Sequence, residues 1–119
     1  MPKTLKDLVL EILEDWKSGK INEIIAQEKA EKLYEEFMHY ENLSYNNPEA
    51  IAYEVLCQLE ILNHQLIIKE DIPFIVDFLN TKQGEEKKAW ESWQNYWDEI
   101  DVDDRLDKLR DNSFYDKEK

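Results

Sequence analysis

The sequence predicts an all-α protein, a single-domain bundle of five to six helices around one central apolar helix at about residues 48–65. Two Gly and three Pro in 119 residues are too few for the many tight turns of an all-β protein. Apolar residues recur at helical spacing along most of the chain. One stretch, NPEAIAYEVLCQLEILNHQL, is apolar around most of its circumference, which is typical of a helix enclosed by other helices.

The central helix is predicted to begin at a capping residue. The side-chain oxygen of Asn47 can accept a hydrogen bond from the first turn, and Pro48 suits the first helical position, where no N–H is needed. Glu54, Gln58 and Gln65 mark a narrow polar stripe. The remaining face is apolar and contains Ile51, Ala52, Val55, Leu56, Leu59 and Leu62, widened by Tyr53, Cys57 and Ile61.

Two helices are predicted before it. Thr4 with Asp7 forms a capping-box pattern, and Gly19 suits the left-handed position that ends a helix. Asn22 is expected to cap a second helix that reaches about Tyr40. The short connection makes the two helices antiparallel neighbours. The predicted buried face of the second helix contains Ile24, Ile25, Ala30, Leu33, Tyr34 and Phe37.

After the central helix, a short apolar helix is predicted from Ile72 to Leu79. Asp71 or a nearby residue would cap it, and Pro73 fits its first turn. A β-strand is the alternative, because FIVDFL is rich in residues that favour strands. The capping acids and the proline favour the helix.

The last part of the chain predicts two more helices and a tail. A helix at about residues 85–99 carries a stripe of aromatic side chains, which is more typical of a core than of a ligand site. Asp103 or Asp104 is expected to start a short helix that ends at Asn112. The domain would therefore span residues 1–112, and residues 113–119 would form a short flexible tail. The stripe contains Ala89, Trp90, Trp93, Tyr96, Trp97 and Ile100.

The charge restricts the possible partners. The chain has 28 acidic and 15 basic residues and a net charge of −13. Direct binding to nucleic acid or to an anionic membrane needs basic surfaces, so neither is expected, and a basic macromolecule is the natural partner. The first residues, MPKTLKDLVLEILEDW, place acids inside an apolar stretch, unlike a secretory signal. We expect a cytoplasmic protein. The oligomeric state is left open.

No pattern in the sequence predicts catalysis, a metal or another cofactor. Cys57 is the only cysteine, and it would lie about 10 Å from His64 along a shared helix, too far for a catalytic pair. Glu36 and His39 have the spacing of a helical di-iron motif, but the motif occurs once where such a site needs it twice. The acidic run at Asp98 lacks the glycine and the glutamate of a calcium-binding EF-hand loop. We therefore expect a protein that is not an enzyme.

The acids are unevenly placed, and this predicts a binding surface. No Lys or Arg occurs between Lys32 and Lys69, a stretch rich in Glu and Tyr. A second acidic run, from Asp98 to Asp107, is only partly offset by neighbouring bases. Acids with tyrosines can steer a basic partner and then hold it through desolvated aromatic contacts, although an ordinary solvated acidic surface is the alternative. The candidate partner-binding residues are Glu41, Tyr45, Glu49, Tyr53, Glu54, Asp98, Asp101, Asp103 and Asp104.

Three segments resemble a family of small helical bacterial immunity proteins. The segments are WKSGKI, VLCQLEILNHQLIIKEDIPFIVDFLNT and AWESWQNYWDEIDVDDRLDKLRDNSFY. The family belongs to polymorphic-toxin systems and is broadly similar to colicin and contact-dependent-inhibition immunity proteins. The chain is longer than the immunity proteins of DNase colicins and lacks their tyrosine-pair and acidic-loop motif, so no binding residue is transferred from them.

The resemblance implies an immunity protein that binds and neutralises a cognate bacterial toxin. The toxin would be a basic nuclease, since nucleases bind phosphates with basic residues. The alternative is a DNA-mimic or anti-restriction protein, whose carboxylates imitate phosphates. An immunity protein should bind one toxin, whereas a DNA mimic should bind several unrelated basic proteins.

Overall fold

The computed structural model describes residues 3–115, and most of them lie in helices. These residues contain no β-strand, and the all-α prediction is confirmed. They form seven α-helices rather than five to six, because the central helix is interrupted. The helices are α1 (Leu5–Ser18), α2 (Glu23–Phe37), α3 (Pro48–Glu60), α4 (Leu62–Gln65), α5 (Ile72–Leu79), α6 (Glu86–Asp98) and α7 (Val102–Lys108). Short 3₁₀ segments cover Met38–Asn42 and Lys69–Asp71.

The caps predicted for the first two helices are present. Thr4 Oγ1 accepts from the Asp7 N–H at 3.2 Å, and the Asp7 carboxylate accepts from the Thr4 N–H at 3.3 Å. Gly19 ends α1 in the left-handed conformation, with φ 85°. Asn22 caps α2 by accepting from the Ile25 N–H at 2.9 Å. Helix α2 ends at Phe37, earlier than predicted, and the chain continues as the 3₁₀ segment.

The buried face of α2 differs from the prediction at two positions. Ile24 and Ile25 are 42% and 39% exposed, whereas Ala26 and Ala30 are fully buried. Ala26 lies one turn before Ala30, on the side of α2 that contacts the core, and the two isoleucines lie outside it. The prediction placed the isoleucines in the core because they are hydrophobic. The spacing of four residues between Ala26 and Ala30 indicates the buried side correctly.

Helix α3 is the centre of the bundle, as predicted. Asn47 Oδ1 accepts from the Glu49 N–H at 2.9 Å, and Pro48 occupies the first turn. Helices α1, α2 and α5 all contact α3. The helix breaks at Ile61, and α4 ends at Leu66 in the left-handed conformation, with φ 55°. The apolar side chains predicted for the central helix are buried: Ile51, Ala52, Val55, Leu56, Leu59 and Leu62.

The aromatic stripe of α6 packs on α5, which is a helix and not a strand. Trp93 is 3% exposed and stacks on Phe78, with ring centroids 4.2 Å apart. Phe74 stacks on Tyr96 at 3.9 Å. The prediction that this stripe belongs to the core is therefore confirmed for its centre, while Trp90 at its N-terminal end is only half-buried.

Asp71 is not the side-chain cap that the sequence predicts for α5. Its carboxylate is fully buried and accepts two hydrogen bonds from the Arg105 guanidinium, both at 2.6 Å. The Ile68 N–H and the Tyr96 hydroxyl also donate to it. Arg105 donates further to the Leu66 carbonyl oxygen at 3.0 Å. This buried ion pair attaches α7 to the start of α5.

The C-terminal boundaries also differ from the prediction. Asp101, and not Asp103 or Asp104, caps α7 by accepting from the Asp104 N–H at 3.0 Å. The described part of the predicted tail, residues 113–115, packs against the helices. Tyr115 is 5% exposed, and its hydroxyl donates to the Ile67 carbonyl oxygen. The rest of the predicted tail, residues 116–119, lies outside the described residues.

Candidate functional site

The first group of predicted binding residues surrounds a cavity, which we call the tyrosine pocket. Its volume is about 320 Å³, and it lies between the 3₁₀ segment, the following loop, α3 and α6. Four of the five candidates before residue 60 line it, namely Glu41, Tyr45, Tyr53 and Glu54. The full lining consists of Tyr40, Glu41, Leu43, Tyr45, Ala50, Tyr53, Glu54, Cys57 and Trp90.

Glu49 is the fifth candidate, and it does not line the pocket. It is half-buried in the first turn of α3, one residue before Ala50, which does line it. Helix α3 lines the pocket with Ala50, Tyr53, Glu54 and Cys57, and Glu49 precedes the first of them.

A hydrogen bond from Trp90 joins the loop at Tyr45 to α6. The indole Nε1–H of Trp90 donates to the backbone oxygen of Tyr45 at 2.9 Å. The Trp90 ring packs edge-on against Phe78, with centroids 5.2 Å apart. Trp90 is thus held from both sides, and it fixes the loop that carries Tyr45.

Two of the other aromatic walls, Tyr40 and Tyr53, also contact rings that do not line the pocket. Tyr53 stacks on Tyr34 of α2, with centroids 6.2 Å apart and an interplanar angle of 18°. Tyr40 packs edge-on against Phe37 at 5.2 Å and against His39 at 4.6 Å. These contacts already restrict the rings. Binding a ligand would therefore cost little side-chain entropy in the pocket.

Glu54 is a half-buried carboxylate in this pocket. Its Oε2 accepts from the Trp93 indole N–H at 3.2 Å. Burial raises the pKa of Glu54, and hydrogen bonds from Trp93 and Gln58 oppose part of that rise. No base offsets this charge locally, since the residues that the structure places around the cavity include neither Lys nor Arg. The carboxylate therefore bears a desolvation cost that a cationic ligand would relieve.

Cys57 is unsuited to nucleophilic chemistry. Burial raises the pKa of its thiol to about 11, although a hydrogen bond with Tyr53 opposes the rise. A thiol with that pKa is protonated at neutral pH, and the thiolate is the reactive form. Burial also raises the pKa of Tyr53. The formal charges of the pocket are therefore those of its two glutamates.

The second group of candidates lies apart from the pocket. Asp98, Asp101, Asp103 and Asp104 are exposed, and none of them lines the cavity. Asp98 is eight residues after Trp90, so it lies about 12 Å further along α6.

Local contacts occupy some of these acids. Asp98 accepts from the Gln94 amide at 3.2 Å, and Asp104 pairs with Lys108 at 3.1 Å. Arg105, one of the bases within this run, turns inward and pairs with Asp71. The acids at the α6–α7 junction therefore form a separate, solvated surface.

Trp90 is the aromatic residue of the pocket that the sequence does not connect with binding. Trp90 reads as one more member of the aromatic stripe, and its bond partner Tyr45 is 45 residues away in the chain. The only local sign of a binding role for Trp90 is weak: it lies near the end of the stripe, beside charged residues. Only the folded arrangement of α6 against the loop assigns it to the site.

Three further findings concern metal sites, membrane spans and known proteins. Within residues 3–115, no group of three or more His, Cys, Asp and Glu side chains is arranged to hold a metal ion. None of the helices described is long and apolar enough to cross a membrane. Comparisons with protein-family models, with curated proteins and with solved structures gave no match.

Proposed function

We propose that this protein is an immunity protein that binds and neutralises a basic bacterial toxin, and that the tyrosine pocket is the centre of its binding surface. The observation that carries the proposal is the convergence of Tyr45, Tyr53 and Trp90 with Glu41 and Glu54 around one cavity. The protein has no catalytic activity of its own in this proposal. It acts by occupying a surface that the toxin needs.

The charge supports a basic partner. The net charge of −13 attracts a basic protein from a distance, and the absence of Lys and Arg between residues 32 and 69 concentrates negative potential at the pocket. A toxin that cleaves nucleic acid must carry basic residues where it binds phosphates. An acidic protein placed there would exclude the substrate.

The aromatic lining supports tight binding once the partner has arrived. Residues that dominate binding energy are enriched in Trp and Tyr and lie at the centre of an interface, surrounded by polar groups that exclude water. Trp90 and Tyr53 are half-buried and rigidly supported, and Tyr45 is 58% exposed beside them. An interface of ordinary size buries about 800 Å² on each partner, so the pocket would be its core and the surrounding acids its rim.

The proposal is tested by rescue. The protein is produced together with the toxin domain encoded directly upstream of its gene, and cell survival is measured. We expect survival only when both are present, and a stable complex on gel filtration. Death of the cells together with no complex would refute the proposal.

Single charge reversals test the place of the interface. Glu41→Lys changes an exposed acid at the pocket, and Asp103→Lys changes an exposed acid on α7. Asp103 is preferable to Asp101, whose side chain caps α7. We expect Glu41→Lys to slow association severalfold at low salt, because charges around an interface act mainly on the association rate.

The matched control for these variants is Glu14→Lys, on the exposed face of α1. It changes the net charge by the same amount and should have a much smaller effect. If only Asp103→Lys slows association, the interface lies at α7. The proposal that the tyrosine pocket is its centre would then be wrong. Binding to several unrelated basic proteins with similar affinity would favour a DNA mimic instead.

A further inference from the structure

We propose that the tyrosine pocket is an arginine site, which receives one arginine side chain of the partner. The guanidinium would lie against the aromatic walls and donate hydrogen bonds to Glu54 inside and Glu41 at the rim. The inference rests on the proposed function for its partner, but the chemistry of the pocket can be tested without the toxin.

The size and lining of the cavity suit one side chain. Its volume of about 320 Å³ lies at the lower limit of small-ligand pockets, which span roughly 300–1,000 Å³. Aromatic faces attract cations, and arginine is the commonest partner because its flat group can also stack on a ring. Tyr40, Tyr53 and Trp90 provide three such rings, each held by a ring contact outside the cavity.

Glu54 supplies the charge that distinguishes a cation from an apolar ligand. A carboxylate has about four acceptor positions, and Trp93 and Gln58 donate to Glu54 from the protein. Further acceptor capacity therefore remains on a group whose hydration the fold has already reduced. A guanidinium carries five N–H donors in a planar fork, which matches a carboxylate better than the point charge of lysine does.

Lys87, a basic residue of α6 that lies close to Trp90, does not fill this role. Lys87 flanks Trp90 together with Glu91, four residues further along the same helix, in a shallow depression beside the pocket. Their formal charges cancel, and neither residue lines the tyrosine pocket. The two glutamates of the pocket thus face the cavity with no cation in its lining.

The test is an NMR titration of the full chain with N-acetyl-arginine methylamide, and the signal followed is the Trp90 indole N–H. That signal is assigned by its loss in Trp90→Phe. The matched probes are the citrulline amide, which has nearly the same shape without the charge, and the lysine amide. We expect saturable binding of the arginine amide with a dissociation constant of about 1–10 mM.

We expect no saturable shift with citrulline and weaker binding of lysine. The inference is overturned if the arginine amide gives no saturable shift, if citrulline binds equally well, or if lysine binds as tightly as arginine.

Two variants test the carboxylates. Glu54→Gln removes the charge but keeps an acceptor for Trp93, and Glu41→Gln changes an exposed side chain that the fold does not need. At least one of them should weaken arginine binding about tenfold, as expected for loss of a charged hydrogen-bond partner. Glu14→Gln on α1 should leave it unchanged. If all three variants bind the arginine amide as tightly as the natural protein does, the inference is overturned.

The outcomes separate this inference from the proposed function. Rescue from the toxin without arginine binding would leave the immunity role standing and remove the arginine site. Arginine binding without rescue would keep the site and refute the immunity role.

Discussion

Arg105→Met should destabilise the protein strongly, because it leaves a buried charge without its partner. The Arg105 side chain is 11% exposed and that of Asp71 is 0% exposed. The substitution removes two hydrogen bonds of 2.6 Å from the Asp71 carboxylate and one of 3.0 Å from the Leu66 carbonyl oxygen. Methionine fills much of the space but donates nothing.

The expected loss is about 3–5 kcal/mol in the free energy of unfolding, the usual cost of breaking a buried ion pair from one side. A small domain has roughly 5–15 kcal/mol in total, so this is a large share. With an unfolding entropy of about 2.1 cal/mol/K per residue over 119 residues, each kcal/mol lowers Tm by about 4 °C. The predicted drop in Tm is therefore about 12–20 °C.

Urea unfolding and thermal unfolding, followed by circular dichroism at pH 7, measure the effect. Lys108→Met is the matched control, since it removes an exposed ion pair with Asp104 on the same helix and should cost less than about 0.5 kcal/mol. Combining Arg105→Met with Asp71→Asn should cost less than the sum of the two single changes, by about 2 kcal/mol or more. A loss below about 1 kcal/mol for Arg105→Met would refute this reasoning.

Two other predictions concern the pocket and the C-terminal segment. Burial raises the folded-state pKa of Glu54, so the stability due to its protonation is present below the ordinary pKa of 4.5 and is lost as pH rises through the folded pKa. Glu54→Gln should thus be more stable than the natural protein at pH 7 and equal to it below about pH 4, as measured by urea unfolding. An equal difference at both pH values would contradict this. Tyr115→Phe should cost about 1–2 kcal/mol, because the Ile67 carbonyl oxygen loses its buried donor, whereas a change below about 0.3 kcal/mol would mean that the bond contributes little.

The helix boundaries could be predicted where a local rule sets them. A capping side chain bonds to an N–H two or three residues away, so Thr4, Asn22 and Asn47 were identified from the sequence. The cap predicted at Asp71 is wrong because an acid shortly before a proline resembles a helix start. The Asp71 carboxylate instead binds Arg105, 34 residues away. The break at Ile61 also has no local signal, since the apolar pattern continues through it.

The candidate site could be predicted in part. The gap in basic residues identified Glu41, Tyr45, Tyr53 and Glu54, because charge and residue type are properties of the sequence itself. It could not identify Trp90, since helical spacing places a tryptophan on a face but does not show whether the end of that face is covered. It could not separate the two acidic groups either, because their distance depends on how α6 lies against α3.

The sequence by itself determined an acidic, helical protein, the starts of its first three helices and the apolar face of its central one. These depend on interactions within one or two turns of a helix and on composition. The tertiary structure alone decided that Asp71 and Arg105 form a buried pair, that Tyr115 belongs to the core, and that Trp90 closes a pocket with Tyr45. Each of these joins residues at least 34 positions apart, and such contacts are set by how helices pack and not by any local pattern.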